Sequence, residues 1–196
     1  MKYDRVIRWL HAGIALGVLI QLFSSLVMAP PEPSEALAGT GRTLFMVHRW
    51  SGISLFTLVI LHWLWELGGH VFGGWGHLFP WFSRNRFRAL IADITSIPQW
   101  LHGQFPDQQT QTMPLVGAVH GLGLLAVTGM ILTGSTLFFG MAPDGSMPGV
   151  VKAVEGLHEF IANFVWAYVV GHVGMALFHQ WRGERLITNM FNLLAR

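Results

Sequence analysis

The sequence predicts an all-α integral membrane protein, a four-helix bundle with both termini in the cytoplasm. Three observations lead there. Four apolar runs, at about residues 6–28, 43–67, 113–139 and 152–181, are each long enough to cross a hydrocarbon layer of about 30 Å as a helix. The chain is 52% hydrophobic and only 11% charged, which leaves too few charged residues to clothe a water-soluble domain of 196 residues. Seven of the ten histidines, His11, His48, His62, His120, His158, His172 and His179, fall inside or at the ends of those runs. An imidazole inside hydrocarbon is costly unless it faces the bundle interior and has a partner.

The first run, VIRWLHAGIALGVLIQLFSSLVM, starts after a short basic segment and carries His11 in its first two turns. It is long and lacks a small-residue cleavage site, so it reads as a retained helix, not a signal peptide. A Pro- and Gly-broken stretch from Ala29 to Arg42 follows, an irregular connection on the outer side. The second run, TLFMVHRWSGISLFTLVILHWLWEL, places His62 fourteen residues after His48. Between the second and third runs lies a mixed region of about 45 residues. Within it Phe87, Leu90, Ile91, Ile94, Ile97 and Leu101 recur at helical spacing beside Arg84, Arg86 and Arg88. This predicts an amphipathic cytoplasmic helix over about 84–102, lying in the headgroup plane or over the bundle mouth. His70, His77 and His102 belong to this polar region and read as ordinary surface residues.

The third run opens with His120, and a short turn, MAPDGSMPG, leads into the fourth. That last run holds only Glu155 and Glu159 as charges between Lys152 and Arg182, and carries His158, His172 and His179. Spacings of fourteen and seven residues return to within about 40° and 20° of one helix face, so the three imidazoles form a stripe. At 1.5 Å per residue, His158 and His172 lie about 21 Å apart along the axis. That is too far to share one ion, and disfavours a metal transporter or channel, but it suits two haems stacked across a bilayer.

Nine of the 12 lysines and arginines (Lys2, Arg5, Arg8, Arg84, Arg86, Arg88, Arg182, Arg185 and Arg196) fall on the side of the termini, against Arg42, Arg49 and Lys152 opposite. The positive-inside rule then sets the orientation. His48 and His158 fall near the outer face, where they are the two candidates for a bis-imidazole site on facing helices. His11, His62, His120, His172 and His179 fall toward the cytoplasm. There the spacing alone favours His62 with His172, while His11 with His172 is the other option. With no cysteine in the chain, disulfides, iron–sulfur clusters and thioether-attached haem are excluded.

The segments RVIRWLHAG, MVHRWSGIS, the lone His120 and LHEFIANFVWAYVVGHVGMALFHQW resemble the prokaryotic cytochrome b561 family. They are also similar to the cytochrome b subunits of membrane-bound hydrogenases and formate dehydrogenases. The resemblance implies two b haems, the inner one held by His11 and His172 and the outer one by His48 and His158. It implies that His120 and His179 lie by a site for ubiquinone or a related quinone. His62 departs from the pattern and remains the alternative to His11. The implied function is electron transfer across the bacterial inner membrane, between a periplasmic donor or acceptor and quinone, as in the superoxide-oxidising members. The alternative is a membrane anchor within a larger dehydrogenase or hydrogenase complex. Lipid and quinone are the expected partners, nucleic acid is not, and a homo-oligomer is left open.

Overall fold

The computed structural model describes residues 4–29, 39–70, 75–101, 114–183 and 185–193. The connection around residues 30–38, His102 and the charges Lys2 and Arg196 lie outside them. Among the described residues every regular element is helical: α1 (Arg5–Ser25), α2 (Thr40–Trp65), α3 (Trp75–Leu78), α4 (Arg84–Leu101), α5 (Pro114–Gly140), α6 (Gly149–Trp181) and α7 (Leu186–Phe191). A π-helical turn, Glu66–His70, continues α2, and a 3₁₀ turn, Pro80–Phe82, separates α3 from α4. Helices α1, α2, α5 and α6 are long and apolar enough to cross a membrane.

Several helix starts have a local cause. The Asp4 carboxylate accepts the Val6 N–H and so satisfies one of the orphan donors of α1. Helix α6 begins three residues before the expected 152, directly after Pro148, whose fixed φ suits a helix entry. At 33 residues it is about 50 Å long, longer than the hydrocarbon layer is thick. The turn into α6 is closed by Asp144, which accepts from the Ser146 hydroxyl and N–H at 2.7 and 3.0 Å. These hydrogen bonds hold the Asp144 carboxyl below the usual carboxylate pKa range. Lys152 and Glu155 pair one turn into the helix. At its other end, Gly183 (φ 90°) and Arg185 (φ 50°) reverse the chain, and Gln180 accepts the Ile187 N–H at the start of α7.

The chain divides into two compact units. The first comprises residues 1–63 and 126–196. Its helices alternate in direction, as side-chain contacts show. The face of Gly13 and Gly17 on α1 meets Leu58 and Leu55 on α2. Phe23 of α1 meets Trp166 of α6 edge-on at 5.9 Å. Trp63 of α2 donates to the Thr128 hydroxyl of α5 at 3.0 Å, and Gly129 of α5 faces Ile161 of α6. The core of this unit is Val18, Leu22, Leu55, Val59, Val127, Ile131 and Val165. By contrast Leu16 (62% exposed), Phe160 (73%) and Val170 (68%) point outward. In water these would make an aggregating patch, whereas in a bilayer they face acyl chains. Helix association there depends on packing and polar contacts more than on water exclusion, which is why small residues line the seams.

The second unit, residues 64–125, carries α3, the 3₁₀ turn, α4 and the first turns of α5. Gly117 and Gly121 of α5 lie so close to α3 that a Cβ on either would fall 2.1 Å from the His77 carbonyl oxygen or 2.0 Å from that of Leu78. Asp93 of α4 accepts the Leu115 N–H at 3.1 Å and so caps the start of α5. Helix α4 carries Phe87, Ile91, Ile94 and Ile97 exposed and Leu90 buried.

Candidate functional site

A step of seven residues returns to nearly the same face of a helix, so core positions and imidazoles share stripes. On α6 the stripe reads His158, Val165, His172, His179; on α2 it reads His48, Leu55, His62; on α1, His11 and Val18. Val165, Leu55 and Val18 belong to the core of the first unit. The imidazoles on either side of them therefore project into the bundle interior, one level above the packed apolar layer and one below.

At the level nearer the two connecting loops, His48 of α2 and His158 of α6 face each other with ring centres 6.4 Å apart and planes at 80°. The other two helices hold these rings. Ser24 of α1 lies 3.0 Å from His48 Nδ1, and Thr133 of α5 lies 2.8 Å from His158 Nδ1. Gln21 of α1 donates both amide hydrogens across to α2, to the His48 carbonyl at 2.8 Å and the Ser51 hydroxyl at 2.6 Å. Gly134 gives the His158 ring room, since a Cβ there would stand 3.2 Å from its Cε1.

At the level nearer the termini, His11 of α1 and His172 of α6 face each other, again with ring centres 6.4 Å apart and planes at 50°. Tyr168 stacks on His172, and Phe191 of α7 meets His11 edge-on at 5.8 Å. Buried Arg8 donates to the Asn192 carbonyl just past the end of α7, tying that helix to α1. His62 lies on the interior stripe of α2, half-buried. His179 is half-buried with its ring edge-on to Phe178 at 5.9 Å.

The chemistry of each pair is specific. Two imidazoles on opposite sides of one metal, each bound through a nitrogen at about 2.0 Å, hold their ring centres about 6 Å apart. Both pairs match that separation. Among the described residues no three His, Asp or Glu side chains converge as a metal cluster would require. Two protein ligands per metal, facing each other inside an apolar bundle, suit a metal that brings its other ligands in a macrocycle. The residues present thus fit haem at both levels.

In the second unit, His120 donates its Nδ1 hydrogen to the Val116 carbonyl at 2.8 Å. A carbonyl can only accept, so Nδ1 carries the hydrogen and Nε2 is the acceptor nitrogen. His77, expected at the surface, is buried, its backbone seated against Gly117. Burial pushes its pKa down, and the charges of His120 and Arg86 push the same way. Sequence spacing also missed Ser24, Thr133 and Tyr168. The available signal for Thr133 was its place beside Gly134, on a stripe with Val127 and His120.

A family model described as prokaryotic cytochrome b561 matches residues 2–193. Comparison with curated proteins and with solved structures returns no significant match.

Proposed function

The chain belongs to the prokaryotic cytochrome b561 family, multi-pass membrane proteins that transfer electrons through haem, and we propose that it does so with two b haems across the bacterial inner membrane. The observation that carries the proposal is the repeated pairing: His48 with His158 and His11 with His172, each at 6.4 Å, about 21 Å apart along α6. In this reading these four histidines would hold the two haems, and the cytoplasmic side is that of the termini, in line with the excess of Lys and Arg there. Bound haem supplies a one-electron couple at each level.

The residues of the chain supply orientation, exclusion of water and protons. The layer of Val18, Leu55, Val59, Val127, Ile131 and Val165 keeps water and ions out of the space between the two levels. On the cytoplasmic side His120 serves a ubiquinone-type substrate, the role that the family resemblance implies for it. Nε2 of neutral His120 accepts a hydrogen bond from a quinol hydroxyl, and once protonated it donates to a quinone carbonyl. On the outer side the donor is a small periplasmic reductant, with superoxide the best-fitting candidate. Two superoxide ions each give up one electron and leave as dioxygen, while the quinone takes two electrons and two protons. Arg42, Arg49 and Lys152 supply some attraction for such an anion, opposed by Glu32, Glu35 and the Glu155 that pairs with Lys152. Arg49 is braced for this by donation to the Phe138 carbonyl and by the Phe138 ring beneath it, 4.6 Å from the guanidinium.

A second reading, as the membrane anchor of a larger dehydrogenase or hydrogenase complex, draws support from the unit of residues 64–125, which gives a partner subunit a structured surface.

The test is a reduced-minus-oxidised spectrum with haem quantification on the purified chain, and on His11→Ala, His48→Ala and His62→Ala. Two low-spin b haems are expected in the parent and in His62→Ala, and one in each of the other two variants. A parent chain that binds no haem would sink the proposal; a haem lost from His62→Ala and kept by His11→Ala would reverse the cytoplasmic-side ligand. Quinone reduction by the isolated chain on addition of superoxide, without a second subunit, separates the stand-alone reading from the anchor.

A further inference from the structure

We propose that the hydroxyls of Ser24 and Thr133 are positioning residues that lock His48 and His158 as Nδ1–H tautomers and strengthen Nε2 of each as a metal ligand. The inference rests on the reading of this pair as axial ligands.

Both hydroxyls are buried, Ser24 at 4% exposure and Thr133 at 9%, on the two helices that carry no imidazole at this level. Each has one hydrogen to give. Ser24 lies 3.1 Å from the Gln21 carbonyl one turn back on α1, and Thr133 lies 2.8 Å from the Gly129 carbonyl one turn back on α5. A carbonyl oxygen can only accept, so the arrangement that satisfies every group sends each hydroxyl hydrogen to the carbonyl. The hydroxyl oxygen is then left to accept from the imidazole, at 3.0 Å from His48 Nδ1 and 2.8 Å from His158 Nδ1. With the hydrogen on Nδ1, the lone pair is on Nε2, the nitrogen through which such a ring ligates.

The two contacts have the same sense on both rings. Donation from Nδ1–H to an oxygen raises the basicity of Nε2 and fixes the ring about its Cβ–Cγ bond, as outer partners of metal-bound histidines commonly do. A more basic pair of ligands favours the oxidised metal. Removing either hydroxyl therefore raises the reduction potential of the haem at this level and leaves the other haem unchanged. Because Ser24 and Thr133 act on different rings, their effects combine in the double variant.

The experiment is a potentiometric titration followed by absorbance on the full chain in detergent, with haem quantified in each sample. The variants are Ser24→Ala, Thr133→Val and their double variant, with Ser24→Thr and Thr133→Ser to restore a hydroxyl. The expected result is two haems per chain throughout and an upward shift of one potential in each single variant. The shift is larger in the double variant and smaller or absent in the hydroxyl-keeping ones. Two unmoved potentials would overturn the inference, as would potentials that move together, which indicates general loosening of the bundle. His48→Ala separates this failure from that of the underlying reading: if it keeps both haems, His48 is not a ligand and the premise itself falls.

Discussion

The phenol ring of Tyr168 lies against the imidazole of His172, with ring centres 5.4 Å apart and planes 11° from parallel. The two residues are one turn apart on α6, the spacing at which side chains on a helix surface meet. The stack limits rotation of His172, while Phe191 limits His11 from the other side. Ring contacts of this kind contribute about 1 kcal/mol beyond the area they bury. If His11 and His172 hold a haem as proposed, Tyr168→Ala is expected to release it roughly fivefold faster to a soluble haem-scavenging protein, a factor near that free energy. Tyr168→Phe keeps the flat ring and the parent rate. Equal release rates in all three proteins would show that the stack does not hold the imidazole.

The four long helices were legible because hydrocarbon imposes a length and a composition that run through whole segments, and their ends differ from expectation by three residues or fewer. Spacing along a single helix also carries height, so the levels of His158 and His172 could be read from α6 alone. Spacing carries no information on which neighbouring helix stands opposite. The choice between His11 and His62 beside His172 was therefore open from residue spacing, and the structure brings His11 to that place through the adjacency of α1 and α6. His77 shows the opposite problem. It reads as surface because it lies in the mixed, partly polar region between the second and third apolar runs, whereas its burial depends on glycines about forty residues downstream. Ser24 and Thr133 were invisible for a related reason, since hydroxyls in apolar helices usually bond their own backbone and only the packing shows a second partner.

Those two glycines yield a prediction of contrasting sign. In an ordinary helix Gly→Ala is favourable by up to about 1 kcal/mol. At Gly156, where nothing lies within 4 Å of an added Cβ, that gain should appear as a slightly higher melting temperature in detergent. At Gly117 and Gly121 the added methyl would fall on a backbone carbonyl that cannot swing aside. The cost of such overpacking, about 1–3 kcal/mol, exceeds the propensity gain, and both variants should melt below the parent. A Gly117→Ala protein as stable as Gly156→Ala would mean that α3 does not rest on α5 in solution.

Asp93 links α4 to the first turn of α5 through the Leu115 N–H at 3.1 Å. That amide is one of the donors a helix start leaves without an intrahelical partner, and a carboxylate there also meets the positive end of the helix dipole. Asp93→Ala should lower stability by about 1 kcal/mol, the usual scale of a lost cap. Asp93→Asn keeps an acceptor and should lose less. Thermal denaturation of the two variants at low and high salt gives the check: the difference between Ala and Asn should survive salt, because it reflects a hydrogen bond more than a charge.

His77 makes part of the fold sensitive to acid. Its folded-state pKa lies below the ordinary value of about 6.5, first through burial and then through the charges of His120 and Arg86. A proton therefore binds the unfolded chain more readily than the folded one. The sign follows from linkage: the contribution of neutral His77 is fully present above about pH 6.5 and is lost as pH falls from there toward the lower folded-state pKa. His77→Gln fills similar space without titrating. Melting temperatures of parent and variant should converge as pH is lowered from 7.5 to 5, with the parent losing more over that interval. The histidines other than His120, whose charge acts on His77, contribute equally to both proteins and cancel in the comparison. Parallel curves would show that His77 takes up its proton in the folded protein as readily as in the unfolded chain, and that its burial against Gly117 does not persist in solution.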